Sequence, residues 1–133
     1  MSNEARSLFF YHSTLADGHD ASCVGAIVRT ARAFNASHGI TGVLLFDGER
    51  FCQYIEGPSP ALDPLVDRIC EDPRHQNVTA LLQEPLTAAR RYPDWSMAFS
   101  DVGKDSIIDR LIAAESLRAL ELLQQAHLTL DVG

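Results

Sequence analysis

Lysine is almost absent from this sequence. Lys104 is the only one, the rest of the 11 basic residues are arginines, and 18 acidic groups bring the net charge to −7. No stretch concentrates the basic residues. Neither a nucleic acid nor an anionic membrane surface is therefore an expected partner. Cysteine is also scarce, with Cys23, Cys52 and Cys70 alone. The number is odd, and no CxxC or Cys/His ligand spacing occurs. This argues against a disulfide framework or a zinc site, so no metal is expected, and it suits a reducing compartment. No apolar run approaches the ~20 residues of a membrane span. The segment from Met1 to Arg6 leads into an apolar run too short for a secretory signal, so the expected location is the cytoplasm. A catalytic triad, a P-loop and a GxGxxG fingerprint are all missing. His12, His19, His38, His75 and His127 are scattered.

What is present suits a single packed domain. The chain has 133 residues, of which 46% are hydrophobic. Ser7 to Tyr11 reads as a first strand. After a polar loop, Asp20 or Ser22 can cap a helix running to about Asn35, with Val24, Ile27, Val28, Ala31 and Phe34 at helical spacing and Gly39 stopping it. Gly42 to Phe46 and Arg50 to Ile55 are apolar runs joined through Asp47-Gly48, which predicts a hairpin with a type I′ turn. Pro60 opens a second helix that carries Leu62, Leu65, Val66 and Ile69 on one face and closes at Pro73. Val78 to Leu82 reads as a fourth strand and Trp95 to Ser100 as a fifth.

The order is β-α-β-β-α-β with one further strand. This is an α+β, ferredoxin-like pattern with two helices on one sheet face. Alternation puts Phe9 and Tyr11 on one face of the first strand and Leu8 and Phe10 on the other, and in the third strand it sets Phe51, Gln53 and Ile55 opposite Cys52 and Tyr54. Both faces carry apolar groups, so both need cover. Residues 104–130 contain neither Gly nor Pro and read as one or two amphipathic helices. They either cover the second face or serve as a dimerisation element, and both roles are compatible. The expected division is a sensor-sized domain at residues 1–100 and a helical extension at 101–133.

Polar groups at apolar positions mark the chemistry. Gln53 sits between Phe51 and Ile55, where an unpaired amide costs roughly 1–3 kcal/mol. Tyr11 belongs to the same face, and Asn35 closes the first helix beside Gly39-Ile40-Thr41-Gly42. Singly they read as an edge residue, a core tyrosine and a helix cap. Together they form a polar trio able to hold a planar heterocycle between the two helices.

These residues stand in motifs that resemble the BLUF family of flavin-binding blue-light sensors. The motifs are Phe10-Tyr11-His12-Ser13, Asn35 followed by Gly39-Ile40-Thr41-Gly42-Val43-Leu44, Phe51-Cys52-Gln53-Tyr54-Ile55-Glu56-Gly57, Arg68-Ile69 with Asp72-Pro73-Arg74-His75, and Arg91 with Trp95-Ser96-Met97. The resemblance covers about residues 6–100. It implies that FAD lies between the helices, with Gln53 bridging Tyr11 and the flavin N5/O4 edge and Asn35 on the C4 carbonyl side. It further implies Arg68, Asp72, Arg74 and His75 near the pyrimidine end or the polar parts of the cofactor. Arg32, one turn before Asn35, is a candidate for a phosphate. Trp95 and Met97 share parity, and the family brings one or the other toward the flavin.

The mechanism implied is a photochemical hydrogen-bond switch in which Tyr11 gives an electron and a proton passes through Gln53. The Gln53 amide is left with its donor and acceptor ends reversed. Three residues depart from the family pattern: His12 and Cys52, which by parity face away from the flavin, and Phe34 before Asn35. No catalytic output is expected, because residues 101–133 are too few for a cyclase or phosphodiesterase domain of at least ~100 residues. Signalling would pass through a homo-oligomer or a downstream protein. The alternatives are a flavin-free interaction module and a small flavin or quinone oxidoreductase on the same scaffold.

Overall fold

The computed structural model describes residues 5–132. The readings of Met1 to Glu4 and of Gly133 lie outside the described residues. Strand β1 (Arg6–Leu15) is followed by helix α1 (Cys23–His38), strands β2 (Thr41–Phe46) and β3 (Arg50–Pro58), and helix α2 (Ser59–Glu71). Strands β4 (His75–Pro85) and β5 (Ala98–Asp101) come next, then helices α3 (Ile107–Ala114) and α4 (Ser116–Gln125). The sheet has five strands in the order β4-β1-β3-β2-β5. Its first four strands pair antiparallel and β5 runs parallel to β2. This is the ferredoxin-like arrangement with a strand added at the β2 edge.

Local chemistry explains most boundaries. Gly39 takes φ +70° and donates its N–H to Asn35 O, ending α1 in a left-handed cap. Asp72 turns extended before Pro73, which ends α2. At Gly42 a Cβ would fall 2.0 Å from Tyr54 O, so the close approach of β2 to β3 requires glycine there.

Three local expectations are corrected. Ser22 occupies the N-cap position of α1 without a side-chain cap bond. The Asp20 carboxylate instead accepts from the Ser22 N–H at 2.9 Å, forming a turn ahead of the helix. In the β2–β3 hairpin, Asp47 N–H bonds Arg50 O, so Gly48 and Glu49 are the central residues. Positive φ occurs at Gly48, at +101°, and not at Asp47. That is the type II′ requirement rather than type I′. Finally, β5 begins at Ala98, and Trp95 to Met97 are irregular backbone.

The alternation of strand side chains holds. Phe9, Tyr11, Leu44, Phe51 and Ile55 pack with Val24 and Val28 of α1 and Leu62 and Val66 of α2. Leu8, Phe10, Val43, Cys52 and Tyr54 pack on the opposite face with Ile107, Ile108 and Leu111 of α3 and Ala119, Leu120 and Leu123 of α4. The carboxy-terminal helices thus cover the second face. Ile108, Leu111 and Leu120 are fully buried there, each worth roughly 1.5–3 kcal/mol of removed apolar surface.

Candidate functional site

A cavity of about 290 Å³ opens between α1 and α2 above the sheet. That is close to the ~300 Å³ lower bound of ligand pockets and suits a flat ring system better than a whole dinucleotide. Side chains of Tyr11, Leu44, Phe51 and Gln53 form its floor, reaching it from β1, β2 and β3. Ile27, Ala31 and Phe34 line it from α1, and Leu65 and Ile69 from α2. Thr30, Asn35, Arg68, Asp72, Arg74 and His75 supply the remaining polar groups. The polar trio expected from the sequence is therefore brought together in one site.

The backbone register explains why two of its members meet. Tyr11 and Gln53 are direct partners across the antiparallel β1–β3 pair. Their side chains project from the same face, and the Tyr11 hydroxyl donates to Gln53 Oε1. The other end of the amide is also engaged, with Gln53 Nε2 donating to Met97 Sδ at 3.7 Å. Gln53 is 7% exposed on an interior strand, so it is not a solvated edge residue. Burial holds the Tyr11 phenol far above its ordinary pKa, with smaller contributions from Cys52, Cys70 and Asp72. Tyr11 therefore keeps its proton at neutral pH and stands as a donor.

Asn35 is 2% exposed. Its Nδ2 donates to Ser96 O at 2.7 Å, tying the end of α1 to the segment before β5. Among the described residues no protein donor meets its Oδ1, which leaves an acceptor for a ligand. His75 is clamped through Ser13 Oγ at 2.8 Å on Nδ1 and Ile69 O at 2.5 Å on Nε2. Its ring meets Tyr11 edge-on at 6.1 Å. Arg74 grips Asp72 with Nε and Nη2, at 3.0 and 2.6 Å to its two carboxylate oxygens. This pairing holds the Asp72 carboxyl below its ordinary pKa. The Arg68 guanidinium lies 4.4 Å from the centroid of the Phe34 ring, whose stacked neighbour is His38 at 4.0 Å. Phe34 thus takes part in the helix-helix contact beside the cavity.

Two expectations are placed differently. Trp95 and Met97 do not share a face, because the parity rule applies only within a strand and both precede β5. Met97 is fully buried with the cavity-side cluster. Trp95 packs with the opposite cluster, its ring stacked 6.0 Å from Tyr92. Arg32 is not among the cavity-lining residues. Its Nε donates to Met97 O at 3.0 Å and its Nη2 to Asp131 O at 2.6 Å. His12 and Cys52 face away from the cavity as parity requires. Cys52 belongs to the second-face cluster, and burial pushes its thiol up to about 12.

One residue that supports the site has no role in the sequence reading. Glu56 is 0% exposed. Its Oε1 accepts from Tyr54 Oη at 2.8 Å and Arg91 N–H at 3.0 Å, and its Oε2 from Tyr92 N–H at 2.7 Å. It anchors the loop that carries Trp95, Ser96 and Met97. The signal that flags Gln53 flags Glu56 as well, since it follows Cys52 and Tyr54 in an apolar row.

The cavity fits a flavin ring on its own chemistry. Its walls are mostly apolar, while the Gln53 amide and the Asn35 acceptor reach it in fixed orientation. A family model for sensors of blue-light using FAD matches residues 7–98. The blue light- and temperature-regulated antirepressor BluF of Escherichia coli (strain K12) is 34% identical over 92 residues, 69% of this chain and 23% of that protein. A solved dark-state structure of a BLUF protein, BlrB, superposes with a TM-score of 0.78 at 34% identity, covering 92% of this chain and 94% of that one. BlrP1 of Klebsiella pneumoniae, solved with FMN and cyclic diGMP, gives a TM-score of 0.65 at 32% identity, over 90% of this chain and 30% of that one. The chain spans less than a quarter of the length of the first curated relatives it matches.

Proposed function

The chain belongs to the family of sensors of blue-light using FAD, and on that premise we propose that it is a blue-light photoreceptor holding FAD by its ring between α1 and α2. The observation that carries this reading is the buried hydrogen-bonded line from Tyr11 through Gln53 to Met97 in the cavity floor. Flavin, when bound, supplies blue-light absorption and a ring that oxidises neighbours once excited. Gln53 and Asn35 would meet the polar edge of that ring, and Arg68, Asp72, Arg74 and His75 its remaining polar parts. FAD is favoured over FMN by the family, and the chromophore released on denaturation, identified by mass, decides between them.

The switch follows from the chain's own groups. Tyr11 Oη holds a proton directed at Gln53 Oε1. An amide has one acceptor end and one donor end, so reversal exchanges them. Tyr11 would then face a donor, and Met97 Sδ would lose its N–H. Tyr11 and Met97 are buried, so solvent has little access to replace the lost bonds. In a low-dielectric site each such change costs on the order of 1–3 kcal/mol. That is enough to bias the segment from Trp95 to Met97.

Residues 1–100 form the sensor and 101–133 its helical extension in this reading, with no catalytic step of its own. Output passes to a downstream protein or through a change of homo-oligomer. The E. coli relative's description as an antirepressor supports a protein partner. Among the described residues no helix is long and apolar enough to cross a membrane, and the cytoplasm is the proposed location. The test is the visible spectrum before blue light, after it and after dark recovery. A flavin spectrum that shifts red and returns is expected. Tyr11→Phe should keep the flavin and lose the shift; a normal response in that variant would refute the donor role. A protein that cannot take up flavin would leave the interaction-module reading in its place.

A further inference from the structure

The carboxy-terminal residues return to the sheet. Asp131 pairs with Phe99 of β5 through two backbone hydrogen bonds, Phe99 N–H to Asp131 O at 2.8 Å and Asp131 N–H to Phe99 O at 2.7 Å. This is an isolated antiparallel bridge on the outer edge of the sheet. A single bridge is weak alone, yet a cation reinforces it. Arg32 donates through Nη2 to Asp131 O at 2.6 Å and lies 3.4 Å from its carboxylate. The same guanidinium donates through Nε to Met97 O at 3.0 Å. Met97 is the residue whose sulfur takes the Gln53 N–H.

We propose that Arg32 couples the Gln53–Met97 contact to the carboxy-terminal tail, so that the stretch around Asp131 is a strap on β5 whose grip follows the state of the Gln53 amide. The planar fork of arginine allows this, because its donors point in fixed directions and meet two acceptors at once. When Gln53 withdraws its N–H from Met97 Sδ, the Met97 backbone is freed to shift. Its carbonyl then leaves Arg32, and the cation no longer fixes Asp131 against Phe99. Release returns the outward N–H and C=O of Phe99 to solvent, opening the edge of β5. The light-driven part of this coupling rests on the switch proposed above, whereas the clasp in the dark does not.

Amide hydrogen exchange on the full flavin-bound chain tests it, in the dark and under continuous blue light, with the absorption spectrum recorded on the same sample. In the dark, Arg32→Ala should speed exchange at Phe99 and Asp131 about tenfold while leaving the β2 amides unchanged. Alanine suits a helix, so α1 itself is not put at risk. In the wild type, light should produce a similar acceleration at those two amides, and in Arg32→Ala light should add less than twofold. Arg32→Lys should recover only part of the dark protection, since an ammonium cannot span both carbonyls in one plane. Wild-type protection in dark Arg32→Ala overturns the clasp. A red-shifted wild type with an unresponsive tail overturns the coupling and leaves the photoreceptor reading intact. Absence of any spectral shift removes the photoreceptor reading and with it the light-driven coupling, and the dark arm still decides the clasp.

Discussion

Replacing Glu56 by alanine removes three hydrogen bonds from one fully buried carboxylate, those from Tyr54 Oη, Arg91 N–H and Tyr92 N–H. Each donor left without a partner costs roughly 1–3 kcal/mol. The space vacated by the carboxylate admits water to part of the site, so the sum is discounted to about 3–5 kcal/mol. Against a total stability of about 5–15 kcal/mol this is a large fraction. For a chain of this size it lowers the melting temperature by about 10 °C or more. Glu56→Gln keeps the volume but turns one acceptor into a donor facing another donor, and should cost about 1–3 kcal/mol.

The assay is urea unfolding followed by tryptophan fluorescence. Trp95 is the only tryptophan, and it sits in the loop that Glu56 tethers, stacked against Tyr92. In Glu56→Ala its emission should already shift red in the absence of denaturant, reporting the freed loop before global unfolding. Because Asn35 bonds Ser96 O in that same loop, the dark-recovery time should change as well. A Glu56→Ala protein within 1 kcal/mol of the parent, with unaltered Trp95 emission, would refute the tether.

Further outcomes are expected. Gln53→Leu should bind flavin and give no red-shifted state, and a preserved shift would mean that another residue switches. Truncation of residues 104–133 uncovers Tyr54, Leu45 and their neighbours on the second face; size-exclusion chromatography should show aggregation or a changed oligomer, and an equally stable monomer would refute the covering role. His12 is held below its ordinary pKa by burial and by the adjacent Arg50. The unfolded chain therefore binds that proton first as pH falls, and the stability His12 contributes above its ordinary value near 6.5 is lost on acidification. The melting temperature should fall from pH 7 toward pH 5, and His12→Gln should flatten that slope.

The two faces of the sheet were legible in the sequence because alternation is a property of any extended backbone. Phe9 with Tyr11, and Phe51 with Gln53 and Ile55, could be grouped within their own strands without knowing what lay above them, and the β1–β3 register then put both groups on one face. The helices were legible for the same reason at their own period, and Gly39 and Pro73 end them by backbone restrictions that need no partner. Gln53 stood out because a polar amide in an apolar row demands explanation wherever the strand packs. Glu56 carried the same signal, but the donors that satisfy it belong to Arg91 and Tyr92, on a loop whose path sequence periodicity does not describe.

What the tertiary structure decided lies in irregular backbone and long-range pairing. Trp95 and Met97 are two residues apart and reach opposite faces, because their backbone leaves the strand pattern before β5 begins. The Gly48 turn adopted its type from hydrogen bonds between Asp47 and Arg50. Arg32 found acceptors on Met97 and Asp131, 65 and 99 residues away, where sequence reading pointed it toward a phosphate. Periodic elements carry their orientation in the local spacing of apolar residues. A turn, a loop or a tail takes its course from whichever distant groups satisfy its backbone, and those become known only once the sheet has closed around them.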